Sequence, residues 1–446
     1  MEKLSKRVRY GFGIGDLGGN LFFTIIGFYL LYYLTDVVHL SAALAGTVLM
    51  IGKIWDAITD PLTGYLSDRT RSRWGRRRPY MFAGSLISVA AMILMFTNPN
   101  LSNQRSLFWL MTFYFCLLNT AYTLVNIPYA ALLPELTQDF DQRTVLTGYR
   151  MSFAVIGTFM GAGAVMPIVG LFASPKLGWS VMSGIMGGLM LGTALITIWA
   201  IKEPKHTEKE KGSGFFKTYI EVLGLSVFLK AVIPWALFIT GTTMIQGALV
   251  YFFKYIFLDE GLFQIALLFL LSFSLIFIPI WVNISKKIGK KNCYNIGMGI
   301  MSISVLLFAF LGEQLGTTFA FIIMSAAGIG LSTHYIIPHA MLPDVVEFDS
   351  LQNNGIRREG VFSSLWTFSS KIGQALALAL NGWLLAIFKY DANITPDRFT
   401  LTGIKLICGP VPVIFFITGI IILSFYPITR TYYQKMMAEA KTGKTG

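Results

Sequence analysis

Two aspartates, Asp56 and Asp60, lie four residues apart inside a long apolar stretch. Residues at this spacing share one face of a helix, so the two carboxylates would lie side by side. Charged groups within an apolar segment are costly to bury and usually mark an ion or substrate path. Two like charges in a low dielectric also need a compensating cation. A proton, a sodium ion or a basic side chain would serve, and a structural salt bridge with Lys53 or another basic residue is the alternative.

Neighbouring polar residues extend this candidate site. Thr59 lies on the same helical turn as the aspartates and would offer a neutral oxygen to sodium. Asp16 lies in a glycine-rich segment early in the first apolar run, where glycines permit close helix approach or local unwinding. The alternative interpretation of Asp16 is an acidic residue that lies at the membrane interface.

Basic and aromatic residues form a second group. Arg150 follows Tyr149 at the start of the fifth apolar run, where snorkelling towards water is an alternative role for the arginine. Lys371 lies well inside the eleventh run, with Gln374 within one turn. A cation at that depth needs a partner, and we expect Asp56 or Asp60 to provide it.

The apolar runs predict the elements that position these residues. The periodicity and length predict twelve helices. We place them at 10–37, 42–67, 79–98, 106–134, 145–172, 177–201, 227–257, 262–284, 293–312, 317–342, 360–389 and 401–427. A polar linker at 202–220 divides them into six and six. We therefore predict an all-α integral membrane protein with bundles at 1–201 and 221–446, the second including a cytoplasmic tail.

Composition narrows the class of protein. The chain is 54% hydrophobic and only 13% charged, with a mean hydropathy of +0.61. Soluble domains carry about twice that charged fraction. The net charge of +13 does not predict nucleic-acid binding, because the basic residues lie at the ends of apolar runs. A signal peptide is not expected at the N-terminus, because the first apolar run is too long.

Basic residues also predict an orientation. Six arginines lie in the loop at 69–78, and the predicted loops on that side of the membrane hold 26 lysines and arginines against 4 on the other. This asymmetry places both termini and the central linker in the cytoplasm, and it supports an even number of spans. We expect a multi-pass protein of the cytoplasmic membrane.

The two halves of the sequence repeat. Residues 127–135 (IPYAALLPE) resemble 337–344 (IPHAMLPD), and the basic loop containing Gly75 has a weaker echo around Gly289. The number of residues between the two copies is nearly the same for both motifs, which indicates a duplicated six-helix unit in parallel orientation. This is the organisation of the major facilitator fold, whose substrate site lies near the midplane between the halves.

Other residues carry weaker signals. The three cysteines, Cys116, Cys293 and Cys408, lie in apolar runs without metal-ligand spacing, and we interpret them as core residues. Helix packing explains His334 and His339, and a proton role is the alternative. Sugars favour aromatic faces, and the aromatic candidates for such contacts are Trp55, Tyr122, Tyr149 and Trp366.

The chain resembles the glycoside–pentoside–hexuronide:cation symporters of the major facilitator superfamily. The resemblance covers essentially the whole chain. It rests on the segments 10–16, 55–61, 71–76, 126–129, 149–150, 342–344 and 357–360, of which the tandem aspartates before proline are specific to that family.

The resemblance implies roles for individual residues. It implies that Asp56 and Asp60 bind sodium or a proton, with Thr59 and Thr123 nearby. It further implies that the positions of Asp16, Arg150 and Lys371 contact sugar or balance charge. We add Asn126, Tyr149 and Gln374 to the candidate substrate-binding residues.

Three departures from the melibiose-carrying branch bear on the substrate. Gly15, Asn126 and Ala130 stand where that branch has lysine, aspartate and tryptophan. The segment Asn126-Ile-Pro-Tyr129 is more similar to the pentoside and glucuronide branch.

We therefore expect a symporter that moves a sugar or glycoside inward with sodium or protons, by alternating access and as a monomer. No cofactor is expected. A lysophospholipid or other amphiphile carrier of the same family is the alternative. A membrane enzyme is not supported, because the sequence contains no metal-ligand cluster, nucleophile motif or phosphate-binding loop.

Overall fold

The computed structural model describes residues 4–137, 140–201, 203, 215–352, 358–429 and 432–433. These residues form helices, and no strand occurs among them. The α-helices, numbered in chain order, are α1 Lys6–Gly13, α2 Gly15–Ile25, α3 Ala42–Arg69, α4 Arg78–Met95, α5 Gln104–Leu136, α6 Phe140–Gly163, α7 Val165–Gly170, α8 Pro175–Ala200, α9 Phe215–Leu223, α10 Ser226–Tyr255, α11 Gly261–Ile288, α12 Lys290–Gln352, α13 Glu359–Ile387, α14 Arg398–Cys408 and α15 Pro410–Ser424. Two π-helical segments, Ile26–Leu30 and Tyr33–Val37, follow α2.

Eleven helical stretches in the described part of the chain are long and apolar enough to cross a membrane. We predicted twelve, and the difference lies in α12, which is 63 residues long. Gly316, with a φ of 81°, has non-helical geometry within α12. The sequence had predicted two helices, 293–312 and 317–342, on either side of this glycine. The all-α prediction is confirmed, whereas the count of twelve holds only if α12 is counted as two spans.

Close contacts within α12 show how its two parts pack. A Cβ on Gly330 would lie 2.7 Å from the carbonyl oxygen of Gly297 and 2.8 Å from the backbone nitrogen of Met301. A Cβ on Gly297 would in turn overlap the side chain of Thr333. Pairs that approach in this reversed order indicate an antiparallel hairpin that turns at Gly316.

The chain forms two compact units. One comprises Met1–Lys209 and Leu378–Thr400, and the other comprises Glu210–Ala377 and Leu401–Gly446. The division after Lys209 falls within the predicted linker at 202–220. Helix α9 begins inside the range 202–220, and the C-terminal part of α13, from Leu378 onwards, groups with the first unit.

In the first unit, α2 packs against α6 and α8, while α5 packs against α3 and α4. Glycines permit the closest approaches, since a Cβ on Gly157 would overlap the carbonyl group of Leu17. In the second unit, α11 packs along α12, and α15 packs against α10 and α12. Many large apolar side chains remain exposed on the outer helix surfaces, as expected of helices that face lipid.

The loop before α4 is held by a cluster of charges. Arg76 and Arg77 both pair with Glu135, and Arg77 also lies 3.3 Å from Asp68. Burial lowers the pKa of Arg77, although the two carboxylates oppose this shift. The carboxylate of Glu203 accepts backbone N–H groups from three successive residues, 76–78, at 2.7 to 3.2 Å. Glu203 therefore caps the N-terminus of α4.

Candidate functional site

Helix α3 presents both aspartates, as the four-residue spacing predicted. Asp56 is fully buried and Asp60 is partly buried. Pro61 follows within the helix and has no backbone N–H, so the carbonyl of Ala57 lacks its usual donor four residues later. The helix thus combines two carboxylates with a backbone oxygen that is available to another partner.

Thr123 of α5 joins the two carboxylates. Its Oγ1 lies 3.0 Å from Oδ1 of Asp56 and 3.1 Å from Oδ1 of Asp60. The hydroxyl carries one proton, so it can donate fully to only one carboxylate at a time. Thr123 is completely buried. A hydroxyl oxygen and two carboxylate oxygens therefore converge at one buried point.

Lys53 contributes a positive charge at the same place. Its Nζ lies 3.8 Å from Oδ2 of Asp56, and both side chains are buried. The ammonium also lies 5.0 Å from the ring centroid of Phe23. The 3.8 Å distance between Lys53 and Asp56 is long for a charge-assisted hydrogen bond, so these two residues form an electrostatic contact. The structure thus includes the salt bridge that was the alternative interpretation of the aspartates.

The oxygen-rich surroundings fit a hard cation, which takes oxygen ligands. Thr59 is buried on the same turn, but its Oγ1 lies 3.2 Å from the carbonyl oxygen of Asp56 and therefore bonds its own helix. Among the described residues, no group of three or more histidine, cysteine, aspartate or glutamate side chains could hold a metal ion. A cation at Asp56 and Asp60 would depend on hydroxyl and carbonyl oxygens to complete its ligands.

A second charged pair connects α2 with α6. Arg150 Nη2 lies 3.0 Å from Oδ1 of Asp16. The guanidinium lies over the ring of Tyr129 at 5.0 Å, and Tyr129 donates its hydroxyl to the carbonyl of Phe12 at 2.8 Å. Asp16 lies in the first turn of α2, where the helix dipole favours an acid. The charges of Asp16 and Arg150, which we considered separately in the sequence, therefore balance each other.

Two other candidates lie near this pair without joining it. Tyr149 packs edge-to-face with Tyr10, their ring centroids 4.9 Å apart. Asn126 lines a cavity of about 30 Å³ together with Gly15 and Ser88. That volume suits a water molecule or two and is too small for a sugar ring.

Lys371 and Gln374 belong to α13 in the second unit, where both are partly buried. The expected pairing of Lys371 with an aspartate of α3 stays a prediction. In the same unit, Trp366 stacks on Trp235 at 5.5 Å, and Trp235 stacks on His334 at 4.4 Å. His334 also lies 3.1 Å from the hydroxyl of Tyr294, which agrees with a packing role for this histidine.

Sequence reasoning missed two contributors to these clusters. Tyr129 was noted only as part of a motif, because its contacts with Phe12 and Arg150 depend on helix packing that the sequence does not show. Glu203 gave no signal beyond its charge, because its role depends on the turn at Gly75, where φ is 102°.

The sequence matches the MFS/sugar transport protein family over residues 11–430. The chain belongs to this family. Its members are membrane transporters, so the multi-pass membrane location and the transporter class predicted from the sequence are confirmed.

Individual relatives cover nearly the whole chain. A putative glycoside/cation symporter of Escherichia coli (strain K12) is 30% identical over 96% of this chain and 93% of its own length. The isoprimeverose transporter of Lactiplantibacillus pentosus is 29% identical over 97% and 90%. The sodium-dependent lysophosphatidylcholine symporter 1 of Gallus gallus is 25% identical over 96% and 87%.

A solved structure shows the same fold. The nucleoside transporter NupG matches 94% of this chain and 100% of its own chain with a TM-score of 0.64, although the sequences are only 14% identical.

Proposed function

We propose that this protein is a cation-coupled symporter that moves a sugar or glycoside across the cytoplasmic membrane by alternating access. Its two halves would be the predicted bundles at 1–201 and 221–446. The observation that supports coupling most directly is the convergence of Thr123 on the carboxylates of Asp56 and Asp60.

The physical argument for coupling concerns charge. Lys53 and the hydroxyl of Thr123 each offset part of the repulsion between the two carboxylates. An arriving cation would reduce this repulsion directly, and Thr59 and Thr123 would contribute neutral oxygens. If substrate binds better to the cation-loaded state, the cation must also bind better to the substrate-loaded state, because coupling free energies are reciprocal.

Sodium is the coupling ion we propose, with a proton as the alternative. Oxygen atoms are suitable ligands for sodium, and one relative is named as a sodium-dependent symporter. A proton would need only one carboxylate of the pair, so it would leave the second aspartate without a direct role.

We assign substrate contacts to Asp16, Asn126, Tyr149, Arg150, Lys371 and Gln374. Two relatives named for glycosides and isoprimeverose support a pentoside or a related glycoside as the substrate class. Hydrogen-bonding side chains and an arginine–carboxylate pair suit the hydroxyl groups of such a molecule. A lysophospholipid is the second candidate, because one relative that matches 96% of this chain is named a sodium-dependent lysophosphatidylcholine symporter.

The orientation stays as predicted, with both termini in the cytoplasm, and we propose that the monomer is the functional form. The 26 basic residues on one side of the predicted spans support this orientation.

Uptake by proteoliposomes tests the proposal. Labelled xylosides, glucuronides, galactosides and lysophosphatidylcholine would be offered under an inward sodium gradient, an inward proton gradient or neither. We expect sodium-driven accumulation of one glycoside class by the wild type, and its loss in Asp56→Asn and Asp60→Asn. Accumulation of lysophosphatidylcholine alone would favour the second candidate. Sodium-driven accumulation at the wild-type level in both variants would refute coupling at the aspartates.

A further inference from the structure

The first unit contains a polar cavity of about 200 Å³ that none of the residues discussed above lines. Three segments form it, namely residues 35–42, Gln104 at the start of α5, and residues 390–393 after α13. The orientation predicted from the basic residues places all three segments on the side opposite the cytoplasm. Ala42 of the lining and Asp56 are 14 residues apart on α3, which corresponds to about 20 Å along the helix. The cavity is therefore separate from the candidate cation site.

The size of this cavity suits one sugar ring. A cavity of about 150 Å³ can hold a benzene ring. A volume of about 200 Å³ therefore accommodates a six-membered pyranose ring with its hydroxyl groups. The cavity beside Asn126, at about 30 Å³, holds only water by the same comparison.

The lining chemistry favours a neutral ligand rich in hydroxyl groups. Hydroxyl and amide side chains that can donate or accept hydrogen bonds come from Thr35, Ser41, Gln104, Tyr390 and Asn393. Asn393 donates its backbone and side-chain N–H groups to Oδ1 of Asp391, each at 2.9 Å, so Oδ2 of Asp391 can accept from a ligand. In the described part of the chain no lysine or arginine lines the cavity. An acidic sugar would therefore meet a carboxylate without a compensating lysine or arginine.

Gln104 fixes one wall of the cavity. Its Nε2 donates to the carbonyl of His39 at 2.8 Å, and its Oε1 accepts the backbone N–H of Ser41 at 2.9 Å. His39 has a φ of 60°, a left-handed conformation that costs free energy in a residue other than glycine. Such conformations persist where surrounding contacts hold them, and they are common at ligand sites.

Asp36 fixes the opposite wall. Its Oδ2 accepts the hydroxyl of Tyr390 at 2.8 Å and the hydroxyl of Thr35 at 2.7 Å. Lys389, directly before Tyr390, is also left-handed, with a φ of 56°. Both walls are thus held in place by hydrogen bonds within the protein, which reduces the entropy that a ligand loses by ordering its site.

We infer that this cavity, here called the outer cavity, is a peripheral binding site for a neutral pyranose or a small neutral pyranoside. It shares no residue with the substrate contacts proposed above. Its ligand follows from the volume and the lining, so the inference goes beyond the proposed transport function and does not depend on it.

Protection of a cysteine from labelling tests the outer cavity in purified protein, without transport. The reporter is Ala392→Cys at a half-buried lining position, in a chain whose native cysteines are replaced by alanine. We expect methyl β-xylopyranoside to slow maleimide labelling by the factor 1 + [L]/Kd, which is about tenfold at ten times the Kd. Glucuronic acid at neutral pH should protect less at equal concentration. Ala173→Cys is the matched control, because this exposed alanine lies in another predicted outer loop, and its labelling rate should not change.

Filling the cavity separates local binding from an effect of sugar bound elsewhere. Ser41→Leu, added to the reporter chain, should abolish the protection, whereas Ala173→Leu should preserve it. Asn393→Leu replaces Ser41→Leu if that protein does not fold. Protection that survives the filled cavity would overturn the inference, as would equal or better protection by glucuronic acid, or no protection by the xyloside up to its solubility limit. Absence of glycoside uptake by the wild type would refute the proposed function alone.

Discussion

Lys290 Nζ lies 2.6 Å from Oδ2 of Asp344, and this pair matches the contact between Arg76 and Glu135 in the first unit. In each unit a basic residue directly follows a glycine of positive φ, which is Gly75 in one and Gly289 in the other. Each acid follows the repeated Ile-Pro motif of the same half. The two halves therefore preserve a contact as well as a sequence pattern.

The matched pairs lead to a first prediction. Lys290→Ala should lower the free energy of unfolding by about 1 kcal/mol, because both partners are partly exposed to solvent. The exchanged protein, Lys290→Asp with Asp344→Lys, should recover most of that loss. Thermal melting of the purified proteins would measure both effects. Purely additive losses in the exchanged protein would show that the pair contributes no coupling energy.

Thr123→Val should weaken cation activation of transport. Valine keeps the shape of threonine but removes the hydroxyl that contacts both aspartates. A hydrogen bond to a charged group contributes about 1.5 to 3 kcal/mol, so the sodium concentration for half-maximal uptake should rise about tenfold to a hundredfold. Thr112→Val, three turns away on α5, is the control and should leave this concentration unchanged, because the Thr112 hydroxyl donates to the carbonyl of Phe108 in its own helix. Equal sodium dependence in the two variants would contradict the cation site.

Lys53→Met should make the protein depend more on sodium for its stability. The variant removes the ammonium beside Asp56 and keeps an apolar chain of similar length. The melting temperature in choline chloride should fall, because a buried carboxylate loses a nearby positive charge. The increase in melting temperature on adding sodium chloride should exceed that of the wild type. An unchanged sodium effect would mean that Lys53 and sodium act at different places.

The Asp16–Arg150 pair gives a test of charge balance. Asp16→Ala alone should destabilise the protein by about 3 to 5 kcal/mol, because it leaves a largely buried guanidinium without its carboxylate. The double variant Asp16→Ala with Arg150→Met should melt higher than either single variant. Substrate binding should nevertheless be lost in all three. Retained binding in the stable double variant would remove both residues from the substrate site.

Glu203→Ala should destabilise the start of α4. The carboxylate accepts three successive backbone N–H groups, and loss of a helix cap costs about 0.5 to 2 kcal/mol. Glu203→Gln, which keeps an acceptor oxygen at the same position, is the control for loss of charge. Gly75→Ala should have an effect similar to that of Glu203→Ala, because a Cβ there would lie 2.5 Å from the carboxyl carbon of Glu203. Equal melting temperatures for Glu203→Ala and its control would exclude a capping role for the Glu203 carboxylate.

The features that depend on residue spacing within one helix could be predicted from the sequence. The helical positions of Asp56 and Asp60 followed from their spacing, and hydrophobic periodicity located most of the helices. The contact of Thr123 with Asp56 spans 67 residues, and that of Arg150 with Asp16 spans 134. Such pairings depend on how helices pack, which periodicity does not specify. Thr123 entered the candidate site only through family resemblance.

The close contact between Gly46 and Gly382 was less accessible to sequence reasoning. Gly46 and Gly382 lie in separate apolar helices, and nothing in either segment indicates that they meet. Their contact depends on the backbone surfaces of two helices, which a sequence pattern does not reveal. Conversely, α9 begins at Phe215, inside the range 202–220 that we predicted as a polar linker. The sequence of a short amphipathic helix resembles that of a charged connection, so the two were not distinguished.

The turn at Gly316 has a consequence for biogenesis. The two parts of α12 have almost no connecting loop, so they are expected to enter the bilayer together as a helical hairpin. An epitope or reporter inserted after Gly316 would separate Gly297 from Thr333 and would draw polar chain into the nascent hairpin. Epitope-scanning experiments should therefore find this connection intolerant, whereas the open segment 97–103 between α4 and α5 should accept insertions.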